Sequence, residues 1–75
     1  MTLADLELAQ EAVIQDFENN SQAIKRLLSF GIEPGSIVKL EFQTFQKGTI
    51  CISNKNRMIA LDAAEASKIT VTPNP

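Results

Sequence analysis

Three short stretches of this chain alternate apolar and polar residues with a period of two: Val38, Leu40 and Phe42, then Ile50 and Ile52, then Ile69 and Val71. Successive side chains of an extended strand point to opposite faces, so each run reads as a half-buried strand with one dry face and one wet face. Such a face must be shared with others, and 75 residues can enclose only one interior. The expectation is a single domain over residues 1–75. With 44% hydrophobic and 21% charged residues, the chain carries enough apolar surface to offset the entropy of ordering.

The other segments fit around these strands. Gln10 to Phe17 is rich in β-branched and aromatic residues with incomplete alternation, and is expected to be a first strand. Asn19, Asn20 and Ser21 follow as turn formers. From Gln22 to Phe30 the apolar residues Ala23, Ile24, Leu27 and Leu28 recur at helical spacings of three and four, which predicts an amphipathic helix. Gly31 suits the left-handed position that ends it, with Ile32 placed to contact Leu27 in a Schellman ending. Glu33-Pro34-Gly35-Ser36 reads as a type II turn into the strand of Val38, Leu40 and Phe42, all three expected on its dry face. Thr44 to Gly48 forms a loop, Thr49 to Ser53 a strand, and Asn54, Lys55 and Asn56 a hairpin into Arg57 to Leu61. Asp62 and Glu65 have capping-box spacing around one helical turn to Ala66, before a last strand from Lys68 to Thr72. Thr2 and Asp5 are spaced to start a similar turn at Met1 to Leu6, sharing Leu3 and Leu6 on one face. Pro73 and Pro75 are expected to halt regular pairing. The predicted architecture is mainly β: five short strands, one α-helix after the first, and short helical turns, in a sheet bent strongly enough to close on itself.

Chemistry is defined largely by what is missing. With no histidine and one cysteine, the chain lacks the commonest general base, a disulfide pair and the usual zinc ligand sets. Gly31, Gly35 and Gly48 match neither a dinucleotide fingerprint nor a phosphate-binding loop, and the acidic residues lack calcium-loop spacing. No catalytic residue, cofactor or metal is therefore expected. A formal net charge of −2 argues against broad electrostatic binding of nucleic acid or anionic lipid, and no run approaches the roughly 18 apolar residues of a membrane span. Membrane insertion is not expected.

Three positions stand out as candidates for contact with a partner. Lys25 and Arg26 form an adjacent basic pair on the polar side of the predicted helix, and Phe45 is an aromatic in an otherwise polar loop. Cys51, in mid-strand, is expected to be a small packing residue and not a reactive thiol.

Several motifs together resemble the FeoA family, small accessory proteins of bacterial ferrous iron transport. They are Thr2-Leu3-Ala4-Asp5-Leu6; the run Lys25-Arg26-Leu27-Leu28-Ser29-Phe30-Gly31-Ile32-Glu33-Pro34-Gly35-Ser36; and Ile59-Ala60-Leu61 followed by Glu65-Ala66-Ser67-Lys68-Ile69. The middle run is the most specific, since basic helix face, terminating glycine and Pro-Gly turn occur at fixed spacing. The family commonly has Pro-Gly where this chain has Leu8-Ala9, and often glycine where it has Asn19 and Asn20. The resemblance implies an SH3-like barrel and a cytoplasmic, non-catalytic adaptor acting on the ferrous iron permease through its GTPase region, with Lys25, Arg26 and Phe45 as contacts. Two other readings compete: an SH3-like ancillary module of metal-dependent repressors, and a small nucleic-acid-binding barrel. The start at Met1, with no DNA-binding region before it, leads us to expect the accessory protein of iron transport and not the repressor module. Edge strands leave self-association into a homo-oligomer open.

Overall fold

The computed structural model describes residues 1–17, 22–44, 46 and 48–74. The strands are β1 (Glu11–Phe17), β2 (Ile37–Gln43), β3 (Thr49–Asn54), β4 (Arg57–Asp62) and β5 (Ile69–Pro73); the helices are α1 (Gln22–Ser29) and α2 (Ala63–Ala66), with a 3-10 turn at Leu3–Asp5. All pairings are antiparallel, in the spatial order β4-β3-β2-β1-β5. Extents of 27 × 25 × 24 Å show that this sheet is curled round its own interior. Each predicted strand and helix is present, with ends that differ by a residue or so, and the turn expected at Asn19, Asn20 and Ser21 lies outside the described residues. Pro73 ends β5 opposite Ala12 instead of lying beyond it.

Inside the curl, Ala12, Ile14, Val38, Leu40, Ile50, Ile52, Ile59, Leu61, Ile69 and Val71 form the core. Leu27 from α1, and Leu3 and Leu6 from the N-terminal turn, close its open sides. Helix α1 stops as its sequence dictates. Gly31 has φ 82°, its N–H donates to the Leu28 carbonyl at 3.0 Å, and the Ile32 N–H donates to Leu27 at 3.0 Å. These two bonds define the Schellman ending, and both Ile32 and Leu27 are fully buried. The next turn closes through the Ser36 N–H and the Glu33 carbonyl, with Gly35 at φ 98°.

Two β-bulges displace the alternation. In β2 the register slips between Leu40 and Phe42, so Glu41 is the extra residue and Phe42 pairs with Cys51. The expected dry face of Val38, Leu40 and Phe42 is thereby corrected: Phe42 is turned outward and is 54% exposed. A bulge inserts one residue and flips every side chain after it to the other face. In β1 the same device at Gln15 works the other way, bringing Phe17 opposite Ile69 and against the core.

The Glu7–Gln10 turn closes through the Gln10 N–H and the Glu7 carbonyl at 3.0 Å, and Ala9, at its third position, has left-handed backbone with φ 68°. A glycine there would adopt this conformation without penalty, whereas alanine's Cβ is crowded by the peptide that follows. Ala9→Gly is expected to stabilise the domain by about 1 kcal/mol, read as a rise in the thermal midpoint.

Candidate docking surface

Helix α1 places Arg26 in its last turn, on the side away from the core. Its Nη2 donates to the Ala60 carbonyl oxygen at 2.7 Å, tying the helix to β4 across 34 residues of sequence. Phe30 lies four residues on, hence on the same side of the helical spiral, and the Arg57 guanidinium carbon stands 5.5 Å from its ring centroid. That stacking is a cation–π contact worth about 0.5–1 kcal/mol at an exposed site. Met58 projects from β4 with 57% of its surface exposed. Arg26, Phe30, Met58, Ile59 and Ala60 line an open cleft of about 260 Å³. No acidic side chain among the described residues lines it.

An apolar strip runs on from this cleft over the outer face of the sheet. Phe42, Cys51 and Ala60 are successive cross-strand neighbours on β2, β3 and β4. Cys51 is buried despite its outward position. Burial, and secondarily the Glu41 carboxylate, push its thiol above the ordinary range, against a smaller opposing effect of the Ile59 backbone. It is therefore a protonated packing group at neutral pH, as the sequence suggests. The cleft sets the Arg26 guanidinium, with that of Arg57 stacked on Phe30 at its edge, next to apolar surface, and so suits a ligand that presents carboxylate next to a hydrocarbon side chain.

A larger groove, of about 700 Å³, lies between the Pro34-Gly35 turn and the β3–β4 hairpin. Its walls mix Glu11 and Glu33 with Lys39 and Lys55, so it favours neither sign of charge.

Of the residues predicted as contacts, Arg26 lies in the cleft. Lys25 is exposed on α1 but one step round the spiral, and does not line it. Phe45 lies outside the described residues. Sequence reasoning missed Phe30, Arg57 and Met58. The available signal was Arg57 to Leu61, where apolar residues fall on both faces of the strand.

No helix among the described residues is long and apolar enough to cross a membrane. The curled antiparallel sheet and the helix after its first strand define a small SH3-like domain. The FeoA domain model matches residues 1–73, and the chain belongs to the FeoA family. Among curated proteins none matches the sequence. Solved structures share the fold, three of them as follows. The FeoA protein of Chlorobium tepidum has a TM-score of 0.88 at 20% identity, over 97% of this chain and 70% of that one. Iron(II) transport protein A of Clostridium thermocellum has a TM-score of 0.86 at 26% identity, over 97% of this chain and 45% of that one. FeoA of Stenotrophomonas maltophilia, solved with zinc and described as a procaryotic SH3 domain protein with a suggested part as a ferrous iron transport activating factor, has a TM-score of 0.82 at 25% identity, covering 96% and 89%.

Proposed function

We propose that this chain is a non-catalytic accessory protein of bacterial ferrous iron uptake, working in the cytoplasm by docking on the GTPase region of the ferrous iron permease. The observation that carries this reading is the family match over residues 1–73. The activating role suggested for the Stenotrophomonas relative supports it. The cleft at Arg26 and Met58 supplies a surface of suitable chemistry, and a docked adaptor shifts its partner's conformations only by its preference among them.

Isothermal titration of the chain against the permease's soluble GTPase domain tests this. Saturable binding is expected, weakened at least about tenfold, or 1.4 kcal/mol, by Met58→Glu, with Lys68→Glu, outside the cleft, near neutral. Absence of binding at any accessible concentration overturns the reading.

A further inference from the structure

The two edges of the sheet are treated differently. Beyond β5, Thr2 bridges to Thr70, and the Val71 N–H donates to the Met1 carbonyl at 2.9 Å. That edge is covered by the chain's own first residues. Beyond β4 no described strand pairs. The Ala60 carbonyl takes its bond from the Arg26 side chain, and the Asp62 N–H donates to the Glu65 carboxylate at 3.1 Å. Both peptide groups therefore open away from β3, and the two-residue period of a strand gives Met58 the same aspect.

A bare edge invites another strand, and proteins normally blunt one with proline, a bulge or an inward charge. β4 has neither proline nor bulge, and pairs in unbroken register with β3 from Asn54↔Arg57 to Thr49↔Asp62. Among the described residues, the Arg26 guanidinium caps it at Ala60 and the Glu65 carboxylate at its end, Asp62. The cleft lined by Arg26, Phe30 and Met58 lies beside this stretch.

Resting on the adaptor reading above, we propose that β4 is a strand-addition site: an extended segment of the partner pairs with Met58 and Ala60. One apolar side chain of that segment enters the cleft against Phe30 and Met58, and a neighbouring carboxylate meets Arg26 and Arg57. The incoming N–H replaces the Arg26 guanidinium on the Ala60 carbonyl. The released guanidinium then takes the carboxylate, so no polar group is left unpaired. Backbone bonds supply affinity and the cleft supplies selectivity. The occupant is thus an acidic, apolar extended segment, and neither a helix nor a second copy of this chain.

Amide hydrogen exchange of the labelled chain, alone and with the permease's unlabelled GTPase domain, is the test. The Met58 and Ala60 amides are expected to exchange rapidly in the free chain and at least about tenfold more slowly in the complex. Ala60→Pro, which deletes an edge-facing donor, is expected to weaken binding at least about tenfold while the amide spectrum stays dispersed. Binding without protection of these two amides overturns strand addition and leaves the adaptor reading standing. Concentration-dependent protection in the free chain assigns the edge to a second copy and likewise overturns it. No binding at all removes the adaptor reading and this proposal together.

Discussion

Leu27→Ala is expected to cost about 3 kcal/mol of folding stability. Leu27 is fully buried, and it is both the inward anchor of α1 and the residue whose carbonyl receives the Ile32 N–H at the helix end. Truncation leaves a cavity between α1 and the sheet that rigid neighbours fill only in part. A domain of 75 residues holds roughly 4–11 kcal/mol in all, so a large share is lost. Thermal unfolding should shift down by roughly 12–24 °C. Leu28→Ala, one residue along the same helix but 45% exposed, should change stability by less than about 0.5 kcal/mol. A comparable loss from both would mean that α1 is not seated as described. Arg26 and Phe30 ride on this helix, so the same substitution should also loosen the cleft.

Gly35→Val should destabilise by about 2 kcal/mol. A side chain at Gly35 would meet no atom within 4 Å, so crowding by neighbours is not the cause. The cause is the backbone at φ 98°, which a β-branched residue resists. The turn cannot relax freely, because the Gly35 N–H donates to the Ile14 carbonyl at 2.8 Å and the Ile14 N–H donates to Ser36 at 2.9 Å. These bonds join the turn to β1. Urea unfolding should show a lower midpoint at unchanged slope, since the surface exposed on unfolding is the same. An unchanged midpoint would show that the turn has another conformation available.

Local signals with local causes were legible in the sequence. The Gly31 stop, the Pro34-Gly35 turn and the capping box of Asp62 and Glu65 depend on residues within a few positions of one another, and all three appear where expected. Phe42 was not legible. Its place is decided by the bulge at Glu41, which exists because β3 offers one residue fewer than β2 over the same span, a fact about two strands and not about either alone. The candidate site was legible by half for the same reason. Arg26 could be placed on the outer side of a helix from periodicity, but its alignment with Ala60 and Met58 depends on how α1 lies beside β4. Lys25, adjacent in sequence, turns elsewhere, because neighbours on a helix do not share a face.

The pairing of Thr2 with Thr70, and of the Met1 carbonyl with Val71, brings the beginning and the end of the described chain side by side. A short linker would join them with little loop-closure cost, and a circularly permuted chain is expected to fold. New termini cut into the Lys55-Asn56 hairpin would then free the start of β4, whereas new termini opened at Gly48 would leave it intact.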